Sequence, residues 1–93
     1  MHVITISEDN HGQIGIALNY YNAVNWLIDE HWIDDGTEQY NFDTDEWETV
    51  KSMWGDNWRD LMLDQWDRNF FNEVWEGCFY LGVEEIIGTE RED

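Results

Sequence analysis

Proline is absent from the 93 residues, cysteine occurs once, and lysine and arginine together occur four times. With no proline and only seven glycines, no stretch reads as a linker, so one domain spanning residues 1–93 is expected, frayed over 88–93. The lone Cys78 excludes an internal disulfide and fits a reducing, intracellular compartment, so a cytoplasmic location is expected. No apolar run approaches the roughly 18 residues that cross a bilayer, so no membrane-spanning helix is expected. The opening MHVITIS has no basic region before an apolar run, so no signal peptide is expected either. The four cations (Lys51, Arg59, Arg68, Arg91) all follow position 50. Such scarcity argues against direct binding to nucleic acid or to an anionic membrane, because both need cationic patches.

What the chain has in abundance is negative charge. Twenty-two Asp and Glu give a formal net charge of −18, well beyond the magnitude of about 2–8 that suffices to keep a small domain soluble. Disordered acidic tails lack aromatics, whereas this chain carries seven Trp, four Tyr and four Phe, ample material for a core. The two properties meet between Asp29 and Glu48, DEHWIDDGTEQYNFDTDEWE, where nine carboxylates and no Lys or Arg surround Trp32, Tyr40, Phe42 and Trp47. A folded surface that repels itself implies a positively charged partner.

Periodicity predicts an α+β fold. His2–Ser7 is β-branched with Ile4 and Ile6 on one face, Glu8–Gly12 is turn chemistry, and Gln13–Ile16 returns with Ile14 and Ile16 matching them. A β-hairpin therefore opens the chain. Ala17–Trp32 has helical spacing, with Ala17, Tyr20, Tyr21, Val24, Leu27, Ile28 and His31 on one stripe. Trp26 sits in the middle of the opposite, polar face. Either the helix is covered on both sides, or Trp26 is an exposed anchor among carboxylates. Gly36 is the expected turn residue beyond this helix, and Thr37–Phe42 reads as a short third strand. Asp43 with Glu46 resembles a capping box and predicts a helix carrying Trp47, Val50 and Trp54, which places Phe42 and Trp47 inside. After a break at Gly55–Asn57 the pattern resumes to Gln65. Asp67 caps a further short helix bearing Phe70, Phe71, Val74 and Trp75, stopped by Gly77. Cys78–Ile87 closes the chain as a strand that pairs with the hairpin.

Catalytic and metal signatures are weak. His2, His11 and His31 fit no zinc spacing. Asp43, Asp45 and Glu48 lack the EF-hand spacing, its central Gly and its terminal Glu. Cys78, flanked by aromatics in a strand, has the profile of an inert thiol. Asp34 and Asp35 are adjacent carboxylates without a convergent pocket, and no phosphate-cradling glycine loop exists. Neither enzyme activity nor any metal or cofactor is expected.

In size, acidity, aromatic content and lack of catalytic signature, the chain resembles phage-encoded inhibitors of bacterial defence nucleases, namely the anti-CRISPR proteins and the anti-restriction DNA mimics. The run DNHGQIGIALNYYNAVNWLIDEHWIDDGTE is also similar to small uncharacterised proteins of phages and mobile elements of Gram-positive bacteria. The first resemblance implies occlusion of a basic DNA-binding surface. A domain of this length spans on the order of 30 Å, over which duplex DNA presents roughly 18 phosphate charges. The expected function is therefore stoichiometric inhibition of a basic DNA-binding protein, foremost a CRISPR-associated nuclease. Trp26, Asp29, Glu30, Asp34, Asp35, Glu38, Asp43, Asp45, Glu46 and Glu48 are the candidate partner-binding residues. Neutralisation of another basic protein (a restriction enzyme, toxin or repressor) is the alternative, and a small enzyme or metal protein the third. Seven Trp also leave room for a homodimer.

Overall fold

β1 (His2–Glu8) runs through the centre of a three-stranded antiparallel sheet in the computed structural model, which describes residues 1–86. β2 (Gly12–Ala17) flanks it on one side and β5 (Phe79–Glu85) on the other. The opening hairpin and the closing strand thus share one sheet, as the β-branched run and the alternation of Phe79 and Leu81 predict. The expected frayed segment 88–93 lies outside the described residues.

The register corrects one expectation. Ile6 pairs with Gly15 and Thr5 with Ile16, and the ladder slips between Ile6 and Ser7. Ile16 therefore faces away from Ile4 and Ile6 and is exposed. A Cβ on Gly15 would lie 3.5 Å from both the Ile6 side chain and the Trp26 ring, an ordinary contact distance, so Trp26 packs directly on β2 at a position that would also accept alanine.

α1 (Tyr20–Asp29) packs on that face through Ala23, Val24, Leu27 and Ile28. It is shorter than the predicted Ala17–Trp32. Ala17 ends β2, and Asn19 caps the helix by accepting a bond from the Asn22 amide at 2.8 Å. At the far end His31, not Gly36, takes the left-handed conformation, with φ 64°. The Trp32 amide reaches the Leu27 carbonyl at 2.9 Å and the His31 amide reaches Ile28 at 3.1 Å, the two bonds of a Schellman motif. Gly36 lies in the following turn, where its amide and the Thr37 hydroxyl both donate to Asp34 Oδ1.

The next region departs further from expectation. β3 (Glu38–Asn41) and β4 (Glu46–Thr49) form a second, two-stranded sheet pairing Tyr40 with Trp47. The Asp43–Glu46 capping box does not form. Instead the Asp43 amide donates to Asn41 Oδ1 at 2.9 Å, and Asp45 turns left-handed at φ 58°, which makes 42–45 a hairpin turn. The helix starts later, as α2 (Val50–Trp54), with Thr49 as its cap. α3 (Trp58–Asp60) continues into a π-helical turn, Leu61–Gln65, and then α4 (Arg68–Val74) follows with the Asp67 cap predicted for it.

The core lies between the larger sheet, α1 and the later helices. Trp75, Phe71, Leu27, Ile33, Met62 and Leu81 are fully buried within it, each apolar side chain contributing about 1.5–3 kcal/mol. The Tyr20 hydroxyl donates to the Met62 carbonyl at 2.7 Å, which ties α1 to the π-turn. The Asn72 amide brackets Leu81, donating to its carbonyl at 2.9 Å and accepting from its N–H at 2.8 Å. That contact satisfies the open edge of β5 at Leu81 and ties α4 to the sheet there.

Candidate functional site

The β3–β4 hairpin carries the most unusual surface. Residues 40, 42 and 47 sit together on one side because Tyr40 pairs directly across from Trp47 and shares its strand face with Phe42. The Tyr40 ring meets Phe42 at 5.1 Å and Trp47 at 5.6 Å between centroids, both edge-on. Phe42 is 58% exposed and Trp47 56% exposed, so the expectation that both lie inside is corrected. The cause is the strand where a helix was predicted: alternation turns Trp47 away from the body, whereas a helical stripe would have aimed it inward. Exposed rings grouped this way mark binding surfaces more often than singly scattered ones do.

Carboxylates rim the rings. Glu38, Asp43 and Glu46 are exposed and accept no side-chain bond among the described residues. Asp45 accepts the Tyr40 hydroxyl at 2.9 Å, which holds that phenol above its ordinary pKa by favouring the neutral form. Glu48 is half-buried and accepts from Asn41 Nδ2 at 2.7 Å and the Ser52 hydroxyl at 3.3 Å. It braces the hairpin against α2 and has less to offer a partner.

The remaining predicted residues are dispersed. Asp29 and Glu30 are exposed at the end of α1. Asp34 organises the turn above, and Asp35 accepts the Trp58 indole N–H at 2.6 Å. Trp26 is half-buried, packed against the core beneath Gly15. Neither of its two readings holds in full: Asn22, Asp29 and Glu30 on the same side of α1 stay exposed, so the helix is not covered on both sides, while β2 at Gly15 half-buries Trp26. It is not an exposed anchor.

Nearby cations scarcely offset this charge. Among the described residues the one Lys–carboxylate bridge joins Lys51 to Asp56 at 3.5 Å, both exposed. Arg68 is spent on the Leu81 carbonyl at 2.8 Å, and Arg59 lies over the Trp58 ring.

Beside the hairpin opens a pocket of about 430 Å³, lined by Gln39, Phe42 and Asp43 from the hairpin, Trp54 from α2, and Glu73 and Glu76 at the end of α4. Gln39 is 1% exposed, and neither its Nε2 nor its Oε1 has a partner; the Trp54 indole N–H is likewise buried and unpaired. Sequence reading missed this site because Glu73 and Glu76 join it only through the tertiary fold. Nothing local marks Gln39 either, since it stands between Glu38 and Tyr40 in a polar stretch.

Other groups offer less chemistry. Burial, with Asp9 and Glu8 nearby, raises the Cys78 thiol above its ordinary pKa, the opposite of nucleophile activation. No three His, Cys, Asp or Glu among the described residues are grouped to hold a metal ion. No described helix is long and apolar enough to cross a membrane. Comparison with protein-family models, characterised proteins and solved structures finds no match.

Proposed function

We propose that the protein is a stoichiometric inhibitor that docks its acidic hairpin onto the basic DNA-binding groove of a bacterial defence nuclease, acting in the host cytoplasm. RNA-guided CRISPR nucleases are the first class to test. They read a short duplex motif with arginines and hold a positive channel beside them, a surface that Glu38, Asp43 and Glu46 complement in charge. The observation that carries the reading is the clustering of three rings, two of them more than half exposed, inside a rim of carboxylates of which Glu38, Asp43 and Glu46 accept no side-chain bond among the described residues. Rings supply affinity that salt does not screen, and charge supplies orientation and a fast on-rate.

The test is titration of the protein into DNA-binding and cleavage assays with a panel of purified RNA-guided nucleases at low ionic strength. The expected result is loss of DNA binding by at least one nuclease near equimolar protein, with Trp47→Ala weakened at least tenfold. Unchanged cleavage across the panel at large excess would overturn the nuclease reading. A second reading has its own support, since the carboxylates surround rings instead of following a line as phosphates do. It makes the protein a binding module for a different basic protein, such as a restriction enzyme, toxin or repressor. Inhibition confined to one of those targets, with the same loss in Trp47→Ala, would favour it.

A further inference from the structure

The pocket beside the hairpin contains two buried polar groups without partners, and this is costly. An unsatisfied buried donor or acceptor costs about 1–3 kcal/mol, and native proteins leave few of them. Trp75 Nε1 is also unpaired, but it sits in the core and lines no pocket described here. Gln39 and Trp54 both line the same one. Its volume of about 430 Å³ falls in the range of roughly 300–1,000 Å³ typical of ligand sites.

The lining specifies the ligand. Asp43, Glu73 and Glu76 are exposed acids at its edge, while Phe42, Trp54 and Val74 supply apolar surface. A planar guanidinium suits that combination, because it stacks on aromatic faces and bridges carboxylates in two-pronged fashion. A lysine ammonium is a compact, strongly hydrated point charge that lacks the flat stacking face and the rigid fork. Guanidinium is donor-only, so it cannot satisfy the Trp54 N–H or Gln39 Nε2, which need an acceptor. A main-chain carbonyl of the same ligand meets that need, and Gln39 Oε1 can take an N–H in return.

We infer that this pocket binds an arginine of the partner together with its flanking peptide group. The guanidinium lies between Asp43, Glu73 and Glu76, and the main chain pairs with Gln39 and Trp54. This inference rests on the reading of the hairpin as the docking surface for a basic partner and names the side chain that surface selects. The Gln39 amide is closed to solvent, so entry requires a lining side chain to yield. Met53, with three rotatable bonds, and the exposed Phe42 line the same pocket and are the ones free to move.

The probes are the blocked peptide acetyl-Gly-Arg-Gly-amide and its lysine counterpart, titrated into nitrogen-15-labelled protein by NMR. The Gln39 side-chain amide and Trp54 indole signals should shift saturably with the arginine peptide, which should bind at least tenfold more tightly than the lysine peptide. Glu73→Gln with Glu76→Gln, both at exposed positions, should weaken the arginine peptide at least threefold without altering the fold. Gln39→Leu should bind it at least tenfold more weakly while unfolding at equal or higher temperature, since an orphaned polar group has been removed. Shifts scattered over the acidic surface and equal for both peptides, with the Gln39 and Trp54 signals unmoved, would overturn the inference. If nuclease inhibition survives in Gln39→Leu, the pocket assignment fails and the docking hairpin stands. If the arginine peptide binds as described while no nuclease is inhibited, the pocket stands and the choice of target fails.

Discussion

The indole N–H of Trp58 donates to Asp35 Oδ1 at 2.6 Å, linking a buried ring of α3 to the most acidic stretch of the chain. One carboxylate of that stretch is therefore a structural group, placed to receive a donor that would otherwise be stranded in the core.

Replacing Asp35 by Ala should lower stability by about 1–3 kcal/mol, the cost of leaving a buried donor unpaired. The sign is informative. Removing one negative charge from a chain of net charge −18 should otherwise relieve repulsion and stabilise slightly. Urea unfolding of Asp35→Ala beside Glu38→Gln separates the two effects, with the first falling and the second holding or rising. Equal midpoints for both variants would show that the bond contributes nothing.

The helix that follows the second hairpin begins at Thr49, whose hydroxyl oxygen accepts the Ser52 amide at 3.1 Å. Thr49→Ala should therefore cost about 1 kcal/mol, the usual loss of a helix N-cap. Asp43→Asn, at the residue whose capping-box spacing predicts a cap, should change stability by less than about 0.5 kcal/mol, as surface substitutions do. Thermal melts of the two variants decide which residue starts the helix.

This cap shows where the sequence ceases to be legible. Asp43 and Glu46 have capping-box spacing, but Asn41 captures the Asp43 amide and Tyr40 faces Trp47 across a ladder. Pairing across the β3–β4 hairpin overrode the capping signal, because Asn41 offered the Asp43 amide a turn bond in place of a helix. The hairpin of β1 and β2, the Asp67 cap and the closing strand were legible, because each combined a periodic apolar pattern with punctuation by turn or cap residues. Gly36 misled for a similar reason as Asp43. A glycine after a helix is the common left-handed cap, but His31 adopts that conformation first, five residues earlier. At the candidate site, the charge of Glu38, Asp43 and Glu46 could be read directly from composition. Exposure of Trp47 could not, since it depends on whether its segment is strand or helix, and exposure of Phe42 could not, since the strand stops at Asn41 and leaves Phe42 in the turn.

Alkaline pH should weaken the fold through two tyrosines. Burial, reinforced by Asp67, holds the Tyr20 phenol above its ordinary pKa of about 10, and the bond to Asp45 does the same for Tyr40. A group whose folded pKa is raised contributes stability that is fully present below its unfolded pKa and is lost as pH rises through the folded one. Stability should thus hold up to about pH 10 and then decline as each hydroxyl loses the proton it donates. Spectroscopic titration of tyrosinate against unfolding should find these two ionising last, and Tyr40→Phe should lose the hairpin's share of the decline. A decline already complete below pH 9 would point to other groups.

Salt should act in opposite directions on the protein alone and on its complex. The single Lys–carboxylate bridge among the described residues is exposed, so exposed attraction has little to lose when charges are screened. Repulsion among the remaining carboxylates has much to lose, because the screening length falls from about 30 Å at 0.01 M salt to about 10 Å at 0.1 M and 3 Å at 1 M. The melting temperature of the isolated protein should rise over this range, steeply at first and then levelling as neighbouring carboxylates cease to sense one another. A rise that is linear in salt to the highest concentration would instead reflect general exclusion of salt from the surface. Association with a basic partner should slow over the same range, since its encounter is steered by those charges. Dissociation should change far less, because Phe42, Trp47 and Tyr40 hold by contacts that salt does not screen. An on-rate indifferent to salt would mean that the acidic rim does not face the partner.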